Sequence, residues 1–577
     1  MSTKRKPAMS TQGSDRRIKL LVVGFALVFA GIFARAVWIQ VVRAPALAAM
    51  ASQQHKETIE IPAARGTIYD RLGEPLAIGE QATTVYADPA TVLNPQRVAV
   101  KAASSLGLNA NTLYPELRDR TKRFVYIERK ADPIAAASLK RLGLAGVGFY
   151  PEERRTYPQG TVAAHVVGYA GTDNRGLEGL ERSLDSRLTG RPGYEIVTRD
   201  ANGRPVDVVG SRQERPGQNV VLTLDHQLQA NAEQRLAQAM HEWDAKGATA
   251  IVMDTKTGAI LTMASAPTFD ANKFSIAPED ARRNRAVTDV YEPGSTFKIV
   301  TIAAALEDGI VSPLSKFTLA PTIQVADRVI HEAHIRGTET MTVRQILAES
   351  SNVGTITIAE RLGGGELASW VDRFGFGKTT GVDYPGESAG MVLPFDKWSG
   401  STIGTVPIGQ GIAVTPLQMV SAYAAIGGGG ILPKPYLVEK IGGHRVKHKA
   451  GIRVVSAKTA ERMMSMFRSV VVEGTGTQAA IPGYTVAGKT GTAQKAENGR
   501  YVSKYVASFV GLVPARKPRL AILVMVDEPH GQIYGGVVAA PIFRDIARFA
   551  LQYLEIPPDA PETKGSEVIA AGAQRSQ

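Results

Sequence analysis

Three short motifs lie in order along the chain: Ser295-Thr296-Phe297-Lys298, Ser350-Ser351-Asn352 and Lys489-Thr490-Gly491-Thr492. Ser295 and Ser350 are 55 residues apart, and 139 residues separate Ser350 from Lys489. If the motifs serve one site, the fold must bring three distant segments together, which asks for a sheet-and-helix domain with a large core. A serine with a lysine three positions on sets a nucleophile and a base one helical turn apart. Ser350 and Asn352 add a hydroxyl that can relay a proton and an amide that can hold a substrate backbone. Lys489, Thr490, Gly491 and Thr492 add a cation, hydroxyls and a close backbone approach suited to a carboxylate.

Each motif alone is weak. Ser295 can merely cap a core helix, and Ser-Ser-Asn is common in turns. Context raises them. Glu292-Pro293-Gly294 turns the chain into a helix expected over 295–307, so the Ser295 N–H is free of the helix ladder and can face an oxyanion. That helix is apolar on almost every side, and a lysine in its first buried turn is costly unless used. Burial and a second cation, Lys489, would push Lys298 toward the neutral form a base requires. Residues 486–492 read as a strand with glycines where a substrate must come close, and the Thr492 N–H would complete the oxyanion hole.

Two competing patterns are set aside. Gly483 to Thr490 fits the phosphate-binding loop G-x-x-x-x-G-K-[ST], but that loop opens a helix, and polar, glycine-containing sequence follows here. His331-Glu332-Ala333-His334 is one residue short of a zinc-helix motif and reads as a loop with ordinary histidines. No metal or cofactor is expected.

Residues 20–34 carry no charge, and the apolar stretch runs through Arg35 and Trp38 to Val42, long enough at about 20 residues to cross a bilayer. Lys4, Arg5, Lys6, Arg16, Arg17 and Lys19 precede it against Asp15 alone, which places the N-terminus in the cytoplasm and the remainder outside. Ala46-Leu47-Ala48 would allow a cleaved signal peptide instead, but the apolar run is long for one. The net charge of +13 is otherwise dispersed, without a dense basic run interleaved with aromatics, so nucleic acid is not an expected partner. There are no cysteines, which excludes disulfides and thiolate chemistry.

The expected organisation is a cytoplasmic tail (1–19), a transmembrane anchor (20–42), a mixed non-catalytic pedestal (44–217), a catalytic domain (218–552) and a disordered tail (553–577). Strands are expected near 219–225, in a hairpin around Thr255–Gly258, at 484–487, 505–513 and 520–526, with a helix over 227–243. Antiparallel strands flanked by helices give an α/β (α+β) fold.

Longer stretches carry a family resemblance. They include 65–71 (RGTIYDR), 155–169 (RTYPQGTVAAHVVGY), 284–298 (NRAVTDVYEPGSTFK), 350–354 (SSNVG), 374–377 (FGFG), 409–418 (GQGIAVTPLQ) and 487–493 (AGKTGTA). In these the chain resembles the class B penicillin-binding proteins, and among them the division-specific peptidoglycan D,D-transpeptidases. The resemblance implies a transpeptidase fold on a dimerisation-like pedestal, with Ser295 as acylated nucleophile and Lys298 as base. It also implies that Ser350 and Asn352 line the site and that Lys489, Thr490 and Thr492 bind a stem-peptide carboxylate. Expected partners are peptidoglycan stem peptides, β-lactams, the inner membrane, and division-complex membrane proteins including a lipid-linked glycan polymerase. An elongation-specific relative, a D,D-carboxypeptidase or β-lactamase-like hydrolase, and a non-enzymatic penicillin-binding scaffold are the alternatives.

Overall fold

The computed structural model describes residues 12–46, 56–199, 205–497 and 499–560. They form two compact units, one holding the chain up to Ala63 with Arg191–Arg215, the other holding Ala64–Gly190 and the chain from Pro216. In the first, helix Gln12–Val37 continues as a wider π-helical stretch, Trp38–Arg43. The span Arg16–Ala46 contains an 18-residue stretch with a mean hydropathy of 2.4, none of it buried, so it is long and apolar enough to cross a membrane. Strands Lys56–Ile61, Gly193–Arg199 and Pro205–Arg212 form a small antiparallel sheet in the same unit.

The second unit is built on a five-stranded antiparallel sheet. Its strands lie in the order Ile260–Ala266, Gly247–Asp254, Leu520–Asp527, Arg500–Val513 and Ala487–Glu497. Side chains alternate across a strand, and here both faces are covered. Ala248, Ala250 and Val252 enter one core with helices His226–Glu242 and Gly535–Tyr553. Ile251 and Met253 enter the other, with Lys298–Glu307 and Pro416–Gly427. Burial on both faces is why the central strands read as continuous apolar runs. Every residue of Lys298–Glu307 except the last is buried, as its all-round apolar pattern requires.

A second sheet joins the pedestal sequence to the catalytic sequence. Val220–Leu222 lies between Val438–Ile441 and Ile68–Tyr69, and the sheet continues through Pro75–Ala87 to Val125–Ala131 and Val147–Thr156. Helices Pro95–Leu106, Ala110–Arg118 and Pro133–Lys140 cover one face of those last three strands. Buried Arg65 is satisfied by Glu181 and Asp185, each at 2.8 Å, by Thr189 at 2.9 Å and by the Asn174 carbonyl, and Arg155 adds a 2.6 Å bond to Glu181. Removing one member of such a network strands a buried charge, at a cost of about 3–5 kcal/mol.

Three local outcomes differ from the sequence expectation. The chain enters the Ser295 helix through a 3-10 turn, Gly294–Phe297, and the α-helix begins at Lys298. The strand expected from 484 through the 486–492 segment starts later and runs further, Ala487–Glu497, with Lys489 to Thr492 in its body as expected. Residues 554–560, placed in a disordered tail, pack on the domain: Ile556 is buried, its carbonyl accepts from Tyr484, and Asp559 accepts from the Thr485 N–H at 2.6 Å. Residues 561–577 lie outside the described residues.

Candidate active site

All three motifs meet at one place. Ser295 is half-buried on its 3-10 turn, and the Ser350 hydroxyl lies 2.9 Å from its Oγ. Lys298 is completely buried. Its Nζ reaches the Ser350 carbonyl at 2.6 Å, Asn352 Oδ1 at 2.9 Å and Ser350 Oγ at 3.3 Å. Among the described residues Lys298 makes no direct hydrogen bond to Ser295, so Ser350 joins the two. Ser350 has φ +61°, a left-handed backbone that costs a non-glycine residue roughly 1–3 kcal/mol and is kept only where its surroundings dictate it. Burial, reinforced by the Lys489 cation, drives the Lys298 pKa well below its ordinary value, against the opposing pull of Glu332.

Lys489 lies in strand Ala487–Glu497, at the edge of the five-stranded sheet. No other strand of the described residues pairs with its outer edge, leaving backbone groups for an extended peptide. Lys489 Nζ bonds Thr490 Oγ1 at 3.2 Å and Thr490 O at 3.3 Å, with Thr475 Oγ1 at 3.5 Å, while the two threonine hydroxyls are 2.7 Å apart. Burial lowers its pKa to about 7. Thr492 Oγ1 accepts from the Gly535 N–H at 3.1 Å, tying the strand to the last helix. The phosphate-loop alternative fails here, because Gly488-Lys489-Thr490 is strand and opens no helix.

Glycines let the strand and the serine turn touch through backbone. A Cβ on Gly491 would lie 2.4 Å from Ser508 Oγ, 2.9 Å from Thr296 Cγ2 and 3.0 Å from the Pro293 carbonyl. A Cβ on Gly409 would lie 2.2 Å from the Gly294 carbonyl, whose N–H donates to Gly409 O at 3.1 Å. Tyr423, fully buried, donates to the Thr296 carbonyl at 2.9 Å and props the same turn.

Two contributors escape the sequence motifs. Glu332, within the segment read as an ordinary histidine loop, accepts from Ser351 Oγ at 2.5 Å and from the Asn352 N–H at 2.7 Å, and Asn352 donates to the His331 carbonyl at 3.2 Å. Thr475 follows helix Ala457–Val472 in a tight segment where a Cβ on Gly474 would lie 2.3 Å from the Ala348 carbonyl. Nothing signalled Glu332 locally, whereas the glycine-threonine alternation at 474–477 marks a close approach. Next in sequence to Thr492, Ala493 to Ala496 line, with Tyr291-Glu292, a cavity of about 830 Å³. Asp70, Asp225 and His226 form a cluster of metal-capable groups elsewhere, but Asp225 caps helix His226–Glu242 and Asp70 accepts from His226, so both already have structural partners.

A buried lysine linked through a serine to a second serine, facing a strand-borne lysine, matches known domains. The penicillin-binding protein transpeptidase domain matches residues 248–548, and the penicillin-binding protein dimerisation domain matches residues 60–222. The chain belongs to the class B penicillin-binding proteins. It is 35% identical over 572 residues to the probable peptidoglycan D,D-transpeptidase PenA of Neisseria meningitidis, covering 98% of this chain and 97% of that one. It is likewise 35% identical over 567 residues to the peptidoglycan D,D-transpeptidase FtsI of Escherichia coli, covering 96% and 95%. The crystal structure of penicillin-binding protein 3 from Mycobacterium tuberculosis with aztreonam superposes with a TM-score of 0.69 at 33% identity, over 87% of this chain and 99% of that one. As in other class B proteins, a serine-type transpeptidase domain follows a dimerisation domain, with a membrane-length helix at the N-terminus.

Proposed function

We propose that the chain is a peptidoglycan D,D-transpeptidase that cross-links septal wall, with Ser295 as nucleophile. The observation that carries this reading is the hydrogen-bonded path from Lys298 through Ser350 to Ser295. A neutral Lys298 has two N–H groups, which the Ser350 and Asn352 carbonyl oxygens take up. Its lone pair then faces the Ser350 hydroxyl, which can in turn accept the Ser295 proton. Ser295 Oγ attacks the carbonyl of the penultimate D-alanine, and the oxyanion faces the Ser295 and Thr492 N–H groups. The proton held at Lys298 passes through Ser350 to the departing D-alanine amine, leaving an ester on Ser295. An acceptor amine attacks that ester, its proton returns along the same path, and Ser295 is regenerated as the cross-link forms.

Lys489, Thr490, Gly491 and Thr492 bind the donor's terminal carboxylate and backbone, Asn352 holds its amide, and the 830 Å³ cavity takes the rest of the stem peptide. β-Lactams acylate Ser295 and stop there. The helix ending near Ala46 anchors the chain with its basic N-terminus in the cytoplasm and the pedestal (44–217) and catalytic domain (218–552) in the periplasm. Its partners are division-complex membrane proteins, including a lipid-linked glycan polymerase. FtsI and PenA at 35% identity support the peptidoglycan reaction.

Labelling with fluorescent penicillin tests the nucleophile: Ser295→Ala should abolish it, and surviving label would overturn the assignment. Depletion tests the role, since filamentous cells mean septal synthesis and rounded cells mean elongation.

A further inference from the structure

The catalytic cleft leaves unexplained an aromatic platform on the pedestal. Strands Pro75–Ala87, Val125–Ala131 and Val147–Thr156 are covered by helices on one face only. The other face carries Tyr86, Phe124, Tyr126 and Tyr150. Tyr86 lies flat across Gly148, where a Cβ would sit 2.2 Å from its Cζ. Phe124 stacks on Tyr86 with centroids 5.0 Å apart and planes inclined by 20°, and Tyr126 meets Phe124 edge-on at 4.8 Å. The top of this stack stands in solvent, with Phe124 47% and Tyr126 46% exposed. The Arg129 guanidinium lies 5.2 Å over the Tyr126 ring and takes one of its faces, so what the platform offers is the half-exposed remainder of two rings fixed in place by their neighbours.

The chain entering the platform is basic. Arg118, Arg120, Lys122 and Arg123 stand against Asp119 in the turn between helix Ala110–Arg118 and strand Val125–Ala131. Lys122 pairs with Glu116, whereas Arg120 and Arg123 make no ion pair among the described residues. Flat ring faces match the C–H faces of pyranose rings, and free guanidinium groups match carboxylates, so the surface is complementary to an anionic, peptide-substituted glycan.

We infer that this sheet face binds uncross-linked glycan strands of peptidoglycan, with Phe124 and Tyr126 stacking on sugars and Arg120 and Arg123 meeting stem-peptide carboxylates. The inference rests on the wall as substrate and adds a second contact with it, away from Ser295. A polymer held there would raise the local concentration of stem peptides at the cleft without sharing any group with the chemistry.

The test is binding of the full chain in detergent to immobilised uncross-linked strands, before and after treatment with benzylpenicillin. Fluorescent-penicillin labelling of every variant reports the fold and Ser295 separately. If labelling fails in the parent, the reading of Ser295 falls, while strand binding still reports on the platform. Phe124→Ala with Tyr126→Ala should weaken binding about tenfold or more at every salt concentration. Arg120→Glu with Arg123→Glu should weaken it and flatten its salt dependence. Ile134→Ala, exposed on a helix of the covered side, should change nothing. Strands stripped of their peptides should keep the ring-dependent binding and lose the salt-dependent part. Parent-like binding by the ring variant would overturn the inference. Full competition by polyglutamate would also overturn it, by making the surface a dock for an acidic polypeptide.

Discussion

Lys489→Met should stabilise the protein while disabling it. Burial lowers the Lys489 pKa from 10.5 to about 7. Each pKa unit is about 1.36 kcal/mol, so carrying this lysine into the fold at pH 7 costs about 4 kcal/mol relative to the unfolded chain. Methionine has similar length and carries no such penalty. It forfeits the Nζ contacts to Thr475 and Thr490, but those hydroxyls keep their mutual 2.7 Å bond. The net gain expected at pH 7 is about 2 kcal/mol. The sign with pH follows from the depressed pKa of a cation. Between about 7 and 10.5 the unfolded lysine holds a proton that the folded one lacks, so the parent loses stability as pH falls through that window. The advantage of the variant therefore grows from pH 10 down to pH 7 and levels off below. Guanidinium titrations of parent and variant at pH 6, 7, 8.5 and 10, with penicillin acylation measured alongside, read both effects. A variant less stable than its parent at pH 7, or a difference that stays flat from pH 7 to 10, would refute the reasoning.

Ser350→Ala removes the link between Lys298 and Ser295 and should slow acylation by about 10²–10⁴-fold while the denaturation midpoint changes little, as stopped-flow with a chromogenic β-lactam will show. Glu332→Gln leaves the size of the side chain but removes the charge that Ser351 and the Asn352 N–H bind, and should cost about 1–3 kcal/mol of stability together with a slower acylation rate. Acylation should rise with pH in the parent as Lys298 loses its proton, and the inflection should lie below the ordinary lysine range because burial and Lys489 both favour the neutral amine. Gly491→Ala drives a methyl into Ser508, Thr296 and the Pro293 carbonyl, and should lower acylation far more than it lowers secondary-structure content by circular dichroism.

The catalytic half was legible because its signals are local. The Ser295 helix announced itself by Pro293-Gly294 and an all-apolar face, and the strands around residues 250 and 523 by apolar runs that both cores then absorbed. The lysine strand was legible at 486–492 from its spaced glycines, but its continuation to Glu497 was not, because the polar residues after Thr492 show their role only by pairing with Arg500–Val513. Glu332 was hidden for a different reason. Its two partners lie 19 and 20 residues away, and an acidic residue in a loop has no periodicity to mark its task. The end of the chain was misjudged at 554–560 because composition sees Pro and Ala but not the pocket that buries Ile556. The platform around Phe124 escaped notice because its basic residues and its aromatics come from three strands and a turn.

The seam between the serine turn and the lysine strand is closed through glycines: Gly409 lies against Gly294, Gly294 against the Thr492 carbonyl, and Gly491 against Thr296 and the Pro293 carbonyl. Such a joint offers selection nothing to trim or enlarge by small steps, since any substitution there overlaps the chain opposite. The opposite wall, where Glu332, Ser351 and Asn352 meet through side chains, has many intermediate settings. Drug escape in this enzyme should therefore be lopsided: variants selected for survival under a β-lactam should accumulate on the Glu332 side and leave the glycine seam untouched.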